Sequence, residues 1–88
     1  MTTQLDLLKR DWCERAEIAV MQHCRAVNPI ITTDAIRDYG LVDEPEHPNW
    51  WGVLLARMKN KRLIERIGYQ PSRRKEANGR PIALWRAV

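Results

Sequence analysis

The side chains with the clearest chemistry lie in a basic turn near the end of the chain. Four cations fall within eight positions of this turn: Arg73, Arg74, Lys75 and Arg80. Clustered guanidinium and ammonium groups neutralise phosphate oxygens and release counterions, so the binding they supply weakens as salt rises. A run of charges is also common as a merely solvated face. The density of cations within one turn favours a polyanion, and we expect phosphate or minor-groove contacts from all four.

The rest of the chain divides its charge along its length. Residues 1–51 hold five basic and nine acidic side chains, a net charge of −4, whereas residues 52–88 hold ten basic and two acidic ones, a net charge of +8. This division predicts a cationic face for a polyanion and an acidic face turned away from it.

The length and composition predict one folded domain. Eighty-eight residues, 44% of them hydrophobic and four of them Trp, suffice for a single small core. Residues 1–27 are expected to form a long helix and residues 28–88 the rest of the domain. No apolar run approaches the ~20 residues that span a bilayer, and the first residues lack the regions of a signal peptide. We therefore expect a cytoplasmic protein with no membrane partner.

Metal binding and catalysis are not expected. Cys13 and Cys24 are eleven positions apart on one expected helix, about 16 Å along its axis and beyond disulfide reach. Together with His23 and His47 they lack the closely spaced pairing of structural zinc ligands. Neither a nucleophile–His–acid arrangement nor a Gly-rich phosphate loop is recognisable. The sequence predicts no catalytic residue, no metal and no cofactor.

The first helix is expected to begin at Thr2 or Thr3 and to end near Val27, before Asn28-Pro29. Its apolar positions recur at helical spacing: Leu5, Leu8, Trp12, Ala16, Ala19 and His23. A helix of this length exceeds what one small core is expected to cover. The excess predicts a homodimer in which this stripe pairs with its copy across a two-fold axis.

Two shorter helices follow. Ile30-Ile31 is expected to be a short strand, and Thr32 or Thr33 then caps a second helix over residues 34–39 that stops at Gly40. After the acidic connection 41–47, Pro48 opens a third helix, for which Asn49 or His47 is suited as the cap.

The third helix, expected over residues 50–61, has two distinct faces. One face is expected to join the core: Trp51, Leu54, Leu55 and Met58. The other is expected to enter a DNA groove: Asn49, Trp50, Val53, Arg57, Asn60 and, at its end, Lys61. Gly52 costs about 1 kcal/mol in a helix interior, so we expect another backbone to approach there, either that of the second helix or that of DNA.

Two residues of the groove-facing set have side chains suited to base edges. Asn49 matches adenine, and Arg57 matches guanine or a phosphate. Trp50 must point roughly 100° away from its neighbour Trp51 and is expected to be exposed, which suits a protein interface better than a groove. A second hypothesis therefore stays open, in which Trp50, Val53 and the acidic connection hold a protein partner.

The end of the chain is typical of a β-hairpin. Leu63–Tyr69 and Ile82–Arg86 are apolar runs on either side of the basic turn. Asn78-Gly79 supplies residues that tolerate positive φ. On the last strand, Ile82 and Trp85 are expected to face the core.

Three segments, 43–52, 63–69 and 80–86, resemble small phage and prophage proteins of the winged-helix type. The resemblance rests on the Pro45-Glu46-His47-Pro48-Asn49 element, the Gly68-Tyr69 pair and the Leu84-Trp85-Arg86 strand, and it covers residues 30–88. It implies a role in phage or mobile-element DNA transactions, such as regulation or replication, and assigns no catalytic residue.

The sequence thus predicts an α+β winged helix-turn-helix, with three helices and a C-terminal hairpin wing. Its expected function is non-catalytic binding of double-stranded DNA. Because one scaffold hosts many functions, a winged-helix module for protein–protein interaction remains the alternative.

Overall fold

The computed structural model describes residues 4–75 and 78–88. Within these residues the chain is α+β, with three helices and one three-stranded antiparallel sheet. The elements in chain order are α1 (Gln4–Ala26), β1 (Ile30–Ile31), α2 (Thr33–Asp38), α3 (Trp50–Asn60), β2 (Ile64–Pro71) and β3 (Pro81–Ala87). Strand β3 lies between β1 and β2. The expected helices, the short first strand and the hairpin are all present.

Helix α1 buries a stripe that begins later than the sequence suggested. The buried residues are Trp12, Cys13, Ala16, Val20, His23 and Cys24. Leu5 and Leu8 were expected in this stripe, but each is 44% exposed, and Ala19 is half-buried. The core reaches α1 only from Trp12 onward, and none of the described residues before Trp12 is buried. The expected cap at Thr2 or Thr3 lies outside the described residues.

Helix α2 begins and ends one residue earlier than predicted, and Thr32, one of the two expected residues, is its N-cap. Thr32 is extended, and its hydroxyl oxygen accepts a hydrogen bond from the Ala35 N–H at 3.0 Å. Gly40 has φ +64° and follows the last helical turn, a backbone conformation in which a side chain would be strained. These two residues fix where the connection to α3 begins.

Helix α3 packs against α1 through an aromatic cluster. Trp51 lies edge-on to Trp12, with 5.0 Å between ring centroids, and Trp50 lies 6.1 Å from the same ring. Both are buried, so the expectation that Trp50 is exposed is wrong. Although the two side chains leave the helix about 100° apart, indoles are large enough to reach either side of Trp12. His47 covers the outer side of Trp50, at 5.6 Å between ring centroids.

The sheet covers the other side of this core. Ile31 pairs with Trp85, and both are buried. Ile82 is half-buried and pairs with Gln70, so its expected place in the core is wrong. Residues three apart on a strand point to opposite faces, and Trp85 occupies the inner one. A bulge between Arg66 and Gly68 shifts the register of β2.

Cys13 and Cys24 are free and buried, as the sequence predicted for reduced thiols. Burial raises the pKa of both thiols, so they stay protonated at neutral pH. Within the part of the chain that the structure describes, none of the helices has the length and apolar character needed to cross a membrane.

Candidate nucleic-acid interface

The hairpin loop is tied to α2 by one buried carboxylate. The Asp34 side chain is only 4% exposed, and its Oδ2 accepts hydrogen bonds from the Ser72 hydroxyl and the Arg73 N–H, both at 2.8 Å. Its Oδ1 lies 3.5 Å from Arg74 Nε. A hydrogen bond from Ser72 N–H to the Arg80 carbonyl, at 2.9 Å, closes the base of the loop. Asp34 therefore sets the position of the loop relative to the helices.

A second carboxylate of α2 holds the same side of the loop. Arg73 donates to Asp38 at 2.8 Å, and both side chains are more than half exposed. The two acids and three loop cations line a surface cleft of about 350 Å³: Asp34, Asp38, Arg73, Arg74 and Lys75. Two of the four predicted phosphate contacts, Arg73 and Arg74, thus already face acidic groups within the protein.

The other two predicted loop cations are exposed. Lys75 and Arg80 flank the tip of the loop and form no ion pair within residues 4–75 and 78–88. Asn78 and Gly79 have φ of 55° and 74°, which confirms the predicted turn. The tip therefore presents two side chains whose charge is available to a partner.

The outer face of α3 is polar and small. Its exposed residues are Asn49, Gly52, Val53, Ala56, Lys59 and Asn60, which share one side of the helix by their spacing. Asn49 occupies the cap position, but its side chain forms no capping hydrogen bond. Three of the predicted groove-facing residues, Asn49, Val53 and Asn60, lie on this face.

The centre of this face is open. A Cβ added to Gly52 would meet no atom within 4 Å among the described residues. Of the two backbones expected to approach Gly52, that of α2 is therefore excluded. The gap left by Gly52, beside the short side chain of Ala56, gives an outside partner access to the helix backbone.

Two other predicted groove-facing residues point to α1. Glu17 accepts from Arg57 Nε at 3.1 Å and from Lys61 Nζ at 3.0 Å. The Glu17 side chain is 15% exposed, and that of Arg57 is 29% exposed. Base readout by Arg57 does not fit this arrangement, because its guanidinium is held in the α1–α3 interface.

The acidic connection 41–47 is tied to α1 and α2 by ion pairs and a hydrogen bond. Asp43 pairs with Arg15 at 2.8 Å, and Glu44 pairs with Arg37 at 2.9 Å. The hydrogen bond from Arg15 lowers the pKa of Asp43 below its ordinary value. Trp12 Nε1 also donates to the Asp43 carbonyl at 2.8 Å. These contacts keep the connection against α1 and α2.

Sequence reasoning missed the residues that hold the interface in shape. Asp34 and Ser72 are 38 positions apart, and no local signal links them. Glu17 was counted only as one acid among nine. Ala56, by contrast, was within reach of sequence reasoning, because it follows Val53 at a spacing of three on the same helix.

Comparisons with protein-family models, with curated proteins and with solved structures find no match for this chain.

Proposed function

We propose that this chain is a winged-helix protein that binds double-stranded DNA without catalysis. The order helix, strand, helix, helix, strand, strand supports this assignment, as does the pairing of the short strand β1 with β3. In such a fold the third helix lies in the major groove and the hairpin loop, the wing, contacts the adjacent backbone. Helix α3 and the loop 72–80 occupy these two places.

The outer face of α3 is the proposed readout surface. Asn49 has an amide not used as a cap and is suited to the N6 and N7 atoms of adenine. Val53 and Ala56 are suited to the methyl group of thymine. Gly52 lets the helix lie deeper in the groove than a larger side chain would.

The observation that carries the proposal is the distribution of unneutralised cations. In the described part of the chain, five cations of the C-terminal half form no ion pair with a carboxylate: Lys59, Arg62, Arg66, Lys75 and Arg80. All five belong to the end of α3, the turn after it, or the hairpin. In the acidic connection, by contrast, Asp43 pairs with Arg15 and Glu44 pairs with Arg37.

The protein-interaction alternative lacks the exposed aromatic side chain on which it depended. It relied on an exposed Trp50, but that indole is 4% exposed and packs on Trp12. Val53 is 38% exposed, which leaves one aliphatic side chain of modest size on that face. A protein hot spot needs a larger apolar group than this.

A salt titration with random duplex DNA tests the proposal. If the five unpaired cations each contact one phosphate, the slope of log K against log salt is expected to be about 4.5 in magnitude, because each contact contributes about 0.9. The double variant Lys75→Ala, Arg80→Ala is expected to lower the slope by about 1.8.

Arg25→Ala is the matched control for Arg80→Ala. Both arginines are exposed, and each substitution removes one charge, but Arg25 lies at the end of α1. Equal losses of DNA affinity in the two single variants would mean that only net charge matters. Absence of binding at low salt would refute the proposed function.

A further inference from the structure

The first two turns of α1 expose a set of leucines beside two cations. Leu5, Leu7 and Leu8 are 44%, 53% and 44% exposed. Lys9 and Arg10 follow them directly and form no ion pair in the described residues. Leu5 and Leu8 are three positions apart and lie on one side of the helix, whereas Leu7 points to another side. With Asp6 opposing Lys9 and Arg10, residues 5–10 carry a net charge of +1, so the segment is apolar and weakly basic.

A groove of matching character lies next to this segment. It has a volume of about 340 Å³ and lies between α1 and the connection 41–47. Its apolar lining comes from Leu8, Trp12 and Trp50, and its acidic lining includes Asp43, Glu44 and Glu46. Of its four carboxylates, Asp11 and Asp43 pair with Arg15, and Glu44 pairs with Arg37, which leaves Glu46 without an ion pair in the described residues and the group with a net charge of −2. The groove is therefore apolar inside and acidic at the rim.

We propose that two copies of this chain pair through this groove. The leucines of one copy enter the groove of the other, and Lys9 and Arg10 meet the partner's acidic rim. Because Leu8 belongs both to the exposed segment and to the groove lining, the two grooves adjoin across a two-fold axis. Each copy gives one segment and receives one, so the pairing closes as a dimer.

Complementarity favours a second copy over an unrelated partner. The lining of the groove is complementary to an apolar segment with positive charge, and the same chain has such a segment at the edge of the groove. A dimer leaves the outer face of α3 and the loop 72–80 uninvolved. The proposal does not depend on DNA binding, and its test contains no DNA.

Sedimentation equilibrium across the micromolar range measures the pairing. The mass is expected to rise with concentration from 10.4 kDa to twice that value and no further. The variant Leu5→Ser, Leu8→Ser is expected to weaken the dimer about 100-fold or more, since four leucines leave the interface. Ile18→Ser, at a 61% exposed site of the same helix outside the groove, is expected to leave it unchanged.

A charge swap then tests the groove itself. Lys9→Glu, Arg10→Glu gives one variant, and Glu44→Gln, Glu46→Lys gives the other. Each alone is expected to be monomeric, because its two segments meet groove rims of like charge. An equimolar mixture is expected to form heterodimers, in which both contacts are complementary again. Circular dichroism of each variant checks that it is folded.

Three results would overturn the proposal. They are a wild-type mass of 10.4 kDa at every concentration, a mass that rises beyond the dimer, and equal dissociation by Ile18→Ser and the leucine variant. A mixture of the two folded charge variants that stays monomeric would place the contact elsewhere than in this groove.

Discussion

Replacement of Asp34 tests whether the position of the hairpin loop, and not only its charge, matters for the proposed DNA binding. The carboxylate is almost fully buried and accepts from Ser72 and Arg73 while lying near Arg74. Asp34→Ala leaves those donors without their acceptor and is expected to cost roughly 3–5 kcal/mol of unfolding free energy. A domain of 88 residues has about 4–13 kcal/mol in total, so the alanine variant is expected to be close to unfolding. Asp34→Asn keeps one oxygen acceptor and is the variant to use for binding.

The two effects of Asp34→Asn on DNA binding have opposite signs. Loss of a negative charge near the loop favours binding to phosphate, whereas the neutral amide oxygen holds the loop more weakly than the carboxylate did, so the loop has an ordering cost on binding. We expect the second effect to win and affinity to fall about tenfold, which corresponds to about 1.4 kcal/mol.

Asp38→Asn is the matched control, with the same charge change on the same helix. Its pair with Arg73 is exposed, so the substitution is expected to cost no more than about 1 kcal/mol of stability. DNA affinity is expected to stay level or rise. Urea unfolding followed by circular dichroism and a duplex titration at one salt concentration measure both quantities. If the two variants strengthened DNA binding equally, Asp34 would act by charge alone and the positioning argument would be refuted.

Three further predictions concern α3 and the acidic connection 41–47. Gly52→Ala is expected to raise the free energy of unfolding by up to about 1 kcal/mol, since the site is open and helical. The same substitution is expected to weaken DNA binding. An increase in both stability and DNA affinity would mean that DNA does not contact this face of α3. Trp50→Ala is expected to cost ~3–5 kcal/mol in urea unfolding, against less than about 1 kcal/mol for Val53→Ala, and similar small losses would mean that Trp50 is not in the core. Arg15 lowers the pKa of Asp43. The ionised Asp43 side chain therefore contributes its full amount to the free energy of unfolding at neutral pH, and this contribution disappears as pH falls through the lowered pKa. Asp43→Asn is accordingly expected to reduce stability by less than about 1 kcal/mol at neutral pH and by nothing in strong acid, and an equal loss at both values would contradict the assignment.

Elements marked by local chemistry were predictable from the sequence. Thr32 and Gly40 bound α2 as expected, and Asn78-Gly79 forms the hairpin turn. In each case the signal lies within a few residues, in a side chain that caps or a backbone that adopts positive φ.

What the sequence did not reveal depends on contacts between distant segments. Helical spacing placed Leu5 and Trp12 on one stripe, but the core extends only as far as Trp12. Neighbouring positions on α3 put Trp50 on the far side from Trp51, yet both reach the ring of Trp12. Periodicity predicts the direction in which each side chain leaves the helix axis. It does not predict how far along the helix the core extends, or how far a large side chain such as Trp can reach around the helix.

The same limit applies to charge, and it bears on the expected strength of the proposed DNA binding. The C-terminal half has ten basic residues, which alone would suggest a slope near 9 on the salt plot at about 0.9 for each contact. Glu17 holds Arg57 and Lys61, while α2 holds Arg73. A cation already paired with a carboxylate has fewer counterions to release, so its exchange onto phosphate contributes less to affinity. If the chain binds DNA as proposed, the unpaired cations are therefore expected to supply moderate and strongly salt-dependent affinity, with the paired ones acting mainly to hold the helices and the loop in place.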